Sequence, residues 1–411
     1  MPFDLSSFAD SLPLDHLDIR MQASEYAGRI ERARRMLRER ELDVGVAYGT
    51  ESMPGDTGWL TGYDPQIEST MVLVGKGATL ILGGPSFARY GAEMSLVAEY
   101  RLCSELSIDE DYPTLTLQPL SDLLREAAGG AVHRVGLLTS DDLLPHGIRR
   151  LLGDAAGAEL VDATDFLRDA RYHKSDAELQ MAAIATRIAG WAMQAAVRSA
   201  RPGVRELEVA AATEYVMRRA GADRLGYMTI VMSGERACMV GARPSNRVIQ
   251  TGDIVTISVC PRWEGIAGTV GRTFVAGGSP TPSQETLLRH VERAFALARE
   301  RIGSGRPARE VDAAGRSYLN THGLYPLYGL VHGGGWTECM EGTGSADPHS
   351  KYDFPAGVEM MLDVGVFDQP FLDLPAEHVG VRIEDTFCID SAGITRQLSD
   401  VPLRVEEWVA G

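Results

Sequence analysis

Three side chains in this sequence have the type and placing needed to move protons or to seat a charged group. His332 heads the run His332-Gly333-Gly334-Gly335 at the end of an apolar segment. An imidazole there offers acid/base capacity near neutral pH, and the glycines leave room for a substrate to approach the backbone. Asp363 and Glu384 fall in two apolar segments, residues 358–366 and 379–389, that read as paired strands. Two carboxylates brought together in an interior repel, and one keeps its proton toward neutral pH. That makes an acid/base pair or an anionic seat for a cationic substrate. The competing reading is a histidine bonded to a carbonyl, with carboxylates tied to a buried guanidinium such as Arg382 or Arg272. Trp336 reads as a pocket wall that can stack on a flat or cationic group. Glu338 and Glu341, just beyond it, belong either to the lining of that pocket or to a solvated loop. Ser258 and Thr269 can bind substrate or water, but a hydroxyl without an adjacent base is a poor nucleophile. Cys238, Cys260 and Cys339 need an ionising neighbour before any could react.

These residues must be positioned by regular elements. The first 170 residues alternate a helix at 25–40, a strand at 42–48, a hairpin over 71–82 around a Gly-Lys-Gly turn, helices at 88–98 and 120–128, a strand at 135–138 and a helix at 146–152. Such alternation implies an α/β layer. No glycine-rich phosphate loop follows any of these strands, so a nucleotide site has no support. A boundary falls near 171–175, where Ser175 and Glu178 form a capping box opening a long Ala-rich helix to about residue 200. Helix 206–220 and strands 227–233, 253–260 and 268–276 follow; then helices 283–302 and 307–322 precede the strands at 358–366 and 379–389. Two helix–helix–hairpin units, 175–278 and 283–390, suggest halves related by a pseudo-twofold axis, with a cleft between them.

Composition bounds the partners. The chain has 411 residues, with 40 Lys and Arg against 57 Asp and Glu, a formal charge of −17. That balance argues against nucleic acid or an anionic membrane as partner. With 44% hydrophobic and 24% charged residues the chain is expected to fold throughout. No run of 18 apolar residues occurs, and neither a signal peptide nor a membrane span is expected. Five scattered cysteines without a CxxC pair read as reduced thiols in a cytoplasmic protein.

Several stretches resemble the pita-bread superfamily of creatinase, prolidase, aminopeptidase P and methionine aminopeptidase. They are Arg243-Pro244-Ser245-Asn246 leading into the hairpin that ends Gly271-Arg272-Thr273-Phe274, the His332 run, Gly380-Val381-Arg382-Ile383-Glu384-Asp385-Thr386, and Lys174-Ser175 with Glu178 at the opening. Trp59-Leu60-Thr61-Gly62-Tyr63 resembles the N-terminal domain of the creatinase/prolidase branch. The resemblance implies an α/β N-terminal domain over residues 1–172 and an α+β pita-bread domain over 173–411 with pseudo-twofold αα-ββ halves. It also implies a five-ligand, two-metal site, for which hard cations need carboxylates. Ser258 and Thr269 stand at the two Asp places, Trp336 at the ligand His, and only Asp363 and Glu384 remain as carboxylates. The creatinase pattern is broken too, with Gly241, Gly271 and Thr343 at its functional places.

The function expected on this basis is a metal-independent, creatinase-like hydrolase of a non-peptide C–N bond in a small guanidino, amidine or related nitrogen compound. It would be a cytoplasmic homodimer without metal or cofactor, acting on a cationic or zwitterionic small molecule. His332, Asp363 and Glu384 would be catalytic; Trp336, Glu338, Ser258, Thr269 and Glu68 would contact substrate, Glu68 by reaching into the partner subunit's cleft. The alternatives are a mononuclear metal-dependent Xaa-Pro peptidase holding its ion with His332, Asp363 and Glu384, a lyase or cyclase on the same scaffold, and a non-catalytic ligand-binding protein.

Overall fold

The alternating signals of the first 170 residues assemble one mixed sheet. Strands β1 (Val44–Gly49), β2 (Thr70–Gly75), β3 (Thr79–Gly83), β4 (Glu99–Leu102), β5 (Arg134–Leu137) and β6 (Glu159–Asp162) lie in the order β4-β3-β2-β1-β5-β6. The β1–β2 and β2–β3 pairs are antiparallel, whereas β3–β4, β1–β5 and β5–β6 are parallel. β1, β2 and β3 are buried along their whole length, which explains why they read as apolar runs without alternation. Helices α1 (Ala23–Glu39), α2 (Leu120–Ala128) and α3 (His146–Ala156) belong to the same unit. α2 buries Leu120, Leu123, Leu124 and Ala127, one face at helical spacing, in a core with Val44, Val46, Leu73 and Leu82.

In this computed structural model the described residues are 3–107, 114–337 and 341–409. They fall into two units, Met21–Arg171 and a second that joins the first 20 residues to everything from Tyr172 onward. The early segment belongs with the second unit because His16 Nε2 lies 2.9 Å from the Ala220 carbonyl and Trp263 Nε1 donates to the Ile19 carbonyl at 3.1 Å. No helix among the described residues is long and apolar enough to cross a membrane.

The second unit repeats a helix pair followed by strands. Helix α4 (Asp176–Ser199) opens on the expected capping box, with Ser175 Oγ accepting from the Glu178 amide at 3.2 Å and Glu178 Oε2 accepting from the Ser175 amide at 2.9 Å. It is followed by α5 (Glu206–Arg219), then β7 (Ile230–Ser233), β8 (Ile254–Val259) and β9 (Val270–Val275). The second round is α6 (Pro282–Arg299), α7 (Ala308–Thr321), β10 (Val331–Gly333), β11 (Glu341–Ala346), β12 (Val358–Phe367), β13 (Gly380–Ile389) and β14 (Thr395–Gln397). These strands form one sheet in the order β11-β10-β12-β13-β9-β8-β7, with β14 paired to β13. α6 and α7 bury Leu287, Val291, Phe295, Val311 and Leu319 against Met360, Leu362, Val364 and Ile383 of the sheet. The alternate residues of β12 and β13 therefore turn to the opposite face, and Asp363 and Glu384 are among them.

Candidate functional site

The register of the sheet sets the site. Along one lateral row Ser258 pairs Gly271, Gly271 pairs Glu384, and Glu384 pairs Asp363 across β8, β9, β13 and β12. Laterally paired residues project to the same face, as do residues two apart on a strand. Arg382, two before Glu384, shares that face, and so does His332, which pairs Met361 two before Asp363. His332 reaches the site from β10, a strand of three residues.

The outcome is a buried cluster. His332 Nε2 stands 3.5 Å from Glu384 Oε1. One donor atom each from His332, Asp363 and Glu384 lies within 4.8 Å of the others, and among the described residues no other group of three His, Cys, Asp or Glu donors comes as close. The exposures of the three are 8, 5 and 2%. Asp363 Oδ1 accepts from the Tyr328 hydroxyl at 3.0 Å and from Arg382 Nε at 3.2 Å. Burial pushes the Asp363 carboxyl up to about 6; Arg382 opposes that shift and Glu384 adds to it. Burial also works against a charged Arg382, but Asp363, Tyr328 and Glu384 together hold its proton well above the ordinary range.

Two glycines make this packing possible. A Cβ on Gly271 would stand 2.9 Å from Glu384 Cβ, 3.0 Å from Ser258 Oγ and 3.2 Å from Arg382 Cδ. A Cβ on Gly365 would collide with the Tyr328 hydroxyl and the Phe367 ring. By contrast, Gly333 lies against the Glu341 carbonyl and Gly334 against Met361. Those two glycines accommodate the protein's own chain, where substrate approach was expected.

The remaining expected residues are placed as follows. Ser258 Oγ accepts from Arg382 Nη1 at 3.4 Å, so it serves the guanidinium. Thr269 is buried, with its amide donating to Thr386 Oγ1 at 2.8 Å and its hydroxyl 3.4 Å from Cys260 Sγ. Trp336 is 3% exposed, lies over Gly265, and its indole N–H has no partner among the described residues. Glu341 is not in a solvated loop: it begins β11, is buried, and accepts from the Thr337 amide at 2.9 Å. Glu338 and Cys339 lie outside the described residues. Glu68 is in the Met21–Arg171 unit, packed against Gly84. Tyr328 was missed. Its signal was available, because Tyr328, Leu330 and His332 alternate, which puts the tyrosine and the histidine on one face of an extended segment.

A single cation suits this donor set. Donors about 2.0–2.2 Å from one ion stand about 3.4 Å apart in a tetrahedral shell, close to the spacing of His332 and Glu384. One imidazole with two carboxylates suits Zn²⁺ or Mn²⁺. A second ion is poorly served, since Ser258 and Thr269 bring hydroxyls in place of charge.

Residues 180–391 match the model of metallopeptidase family M24. The chain belongs to that family. It is 29% identical over 328 residues to an Xaa-Pro dipeptidase of Pyrococcus horikoshii, covering 78% of this chain and 86% of that protein. To the Xaa-Pro dipeptidase of Pyrococcus furiosus it is 32% identical over 245 residues, 58% of this chain and 66% of the relative. In fold it is similar to the P. horikoshii prolidase, with a TM-score of 0.75 and 23% identity over 91% of this chain and 99% of that one. The X-Pro aminopeptidase of Thermotoga maritima gives a TM-score of 0.77 at 19% identity, covering 91% and 98%. The pita-bread fold with its N-terminal α/β domain is thus as expected.

The expected chemistry is corrected. A metal-independent, creatinase-like hydrolase of non-peptide C–N bonds is overturned by membership of a metallopeptidase family and by relatives named for Xaa-Pro peptide cleavage. The physical error lay in the ligand count. Losing Ser258, Thr269 and Trp336 as ligands removes a two-ion site, but it leaves three donors that meet at one point. Of the earlier expectation, the hydrolase class stands with the M24 family.

Proposed function

We propose that the chain is a hydrolase of short Xaa-Pro peptides with one divalent cation held by His332, Asp363 and Glu384. The observation that carries this reading is the buried meeting of those three donors on a single face of the sheet. Bound between them, a divalent cation supplies Lewis acidity to a peptide carbonyl. Asp363 and Glu384 neutralise the ion's charge from adjacent strands, and the Tyr328 hydroxyl and Arg382 fix the orientation of Asp363. His332 Nε2 completes the set from β10. Trp336 is assigned to the substrate side, because a buried indole N–H without a partner among the described residues gains most from an acceptor on the ligand.

The test is hydrolysis of Xaa-Pro dipeptides by protein stripped with chelator and then given Mn²⁺, Zn²⁺ or Co²⁺. Activity that is lost on stripping, restored by an added ion and removed by Glu384→Gln is expected. Turnover indifferent to the chelator, or no hydrolysis with any of the ions, would overturn the proposal.

A further inference from the structure

We infer that the N-terminal segment, residues 3–20, is an acid-released strap supporting the hairpin against which Trp336 packs, with His16 as its catch. The segment is tied down along its length. The Phe8 ring lies 5.5 Å from the Arg198 guanidinium, Asp10 stands 3.5 Å from Arg219 and Asp15 3.1 Å from Arg187. His16 is fully buried, its ring 4.8 Å from that of Trp263 and 5.8 Å from that of Trp191. Trp263 in turn donates to the Ile19 carbonyl at 3.1 Å. Strands Pro261–Trp263 and Ile266–Ala267 form the hairpin, and it also meets the candidate site. Its turn residue Gly265, at φ +79°, lies against the Trp336 ring where a Cβ would collide. The Ala267 amide donates to the Gly335 carbonyl at 2.9 Å, three residues beyond His332.

The catch follows from the imidazole's tautomer. A carbonyl only accepts, so Nε2, 2.9 Å from the Ala220 carbonyl, carries the proton and Nδ1 is bare. Nδ1 has no hydrogen-bond partner among the described residues. Asp15 Oδ1 is 4.0 Å away and already serves Arg187. The other carboxylates nearby are engaged, Glu264 with Arg20 at 3.3 Å, Asp223 with the Gly265 amide at 3.3 Å and Asp10 with Arg219. Arg20 and Arg187 stack on Trp263 and Trp191 at 4.9 and 5.3 Å, and Arg218 donates to the Ala222 carbonyl at 3.1 Å. A second proton on His16 therefore adds positive charge to a dry site bordered by guanidiniums. Burial holds His16 below the ordinary histidine value of 6.5; the Ala220 carbonyl opposes that shift and Arg187 adds to it. Released into water, the imidazole regains its ordinary value. The free segment then binds more protons than the docked one. Docking is thus strongest above that value and weakens by up to about tenfold per pH unit below it, until docked His16 itself titrates.

The test is hydrogen–deuterium exchange read by mass spectrometry at about pH 7.5 and about pH 5, with rates corrected for their intrinsic pH dependence. Peptides from residues 3–20, 261–267 and 331–337 are followed in the full chain. In the wild type, exchange over 3–20 should rise by about tenfold at the lower pH, and the other two peptides should rise with it. His16→Gln keeps an amide N–H for the Ala220 carbonyl and cannot titrate, so its exchange over 3–20 should stay within about threefold across the same range. If that variant does not fold, His16→Asn takes its place in the comparison. Unchanged protection of 3–20 in the wild type, or the same acid loss in a folded variant, would overturn the inference. Loosening confined to 3–20, with 261–267 and 331–337 unmoved, would overturn the supporting role. The readout needs neither ion nor substrate, so failure of the peptidase reading would leave this result standing.

Discussion

Tyr328→Phe isolates the group that holds Asp363 in place. The substitution removes one oxygen from a half-buried side chain and keeps the ring near Phe367. It deletes the hydroxyl that donates to Asp363 Oδ1 at 3.0 Å and accepts from Arg382 Nη2 at 3.3 Å. A hydrogen bond to a charged group contributes about 1.5–3 kcal/mol. Loss of a partner that orients a ligand lowers metal affinity by about 10–100-fold, which is about 1.4–2.7 kcal/mol and therefore consistent. The same bond holds the Asp363 carboxyl down against the effect of burial, so without it the carboxyl rises further above its present value of about 6. The assay is Mn²⁺ affinity by calorimetry from pH 5 to 8, with near-ultraviolet circular dichroism to confirm the fold. We expect affinity at pH 7.5 to fall by about 10–100-fold and the pH at which binding begins to move upward. Affinity within about twofold of wild type, with an unmoved pH profile, would refute the positioning role of Tyr328.

Other expectations follow from the same geometry. Gly271→Ala forces a Cβ against Glu384, Ser258 and Arg382, and should lower unfolding free energy by about 1–3 kcal/mol and weaken ion binding, measured by denaturant unfolding and calorimetry. Arg272→Met leaves Asp385 without its fully buried counter-charge and should destabilise by about 3–5 kcal/mol in chemical denaturation, whereas Arg289→Ala, at an exposed pair, should change stability by under about 0.5 kcal/mol. Asp363 sits at about 6 when folded and near 3.8 when unfolded. The metal-free fold therefore holds more protons than the unfolded chain between those values, and this group's contribution to stability is lost as pH rises through that window. The cation needs the deprotonated carboxylate, so ion affinity should fall by about tenfold per unit below about pH 6, as read by the ion-induced rise in Tm.

Much of the architecture was legible because the long elements carry unambiguous periods. The capping box at Ser175, the apolar face of residues 120–128 and the apolar runs of β12 and β13 each specify their element locally. β10 and β6 were harder to read, since strands of three and four residues show too little period to stand out. In the site, the pairing of Asp363 with Glu384 followed from adjacent strands, but the diagonal placing of His332 depends on a register that only the folded sheet supplies. The alternative assignment of Asp363 to Arg382 was also correct as geometry, and it does not exclude an ion, because both groups can share one carboxylate. The sequence grouped the three remaining donors only in its alternative reading, a mononuclear peptidase, and their meeting in the folded sheet is what favours that alternative.

Anomalous diffraction from crystals grown with Mn²⁺ tests the single-ion centre most directly. The account predicts one peak per chain, about 2.0–2.3 Å from His332 Nε2 and from carboxylate oxygens of Asp363 and Glu384, with Arg382 still on Asp363 and Ser258. Fully ordered side chains with no peak between them, at saturating Mn²⁺, would contradict it.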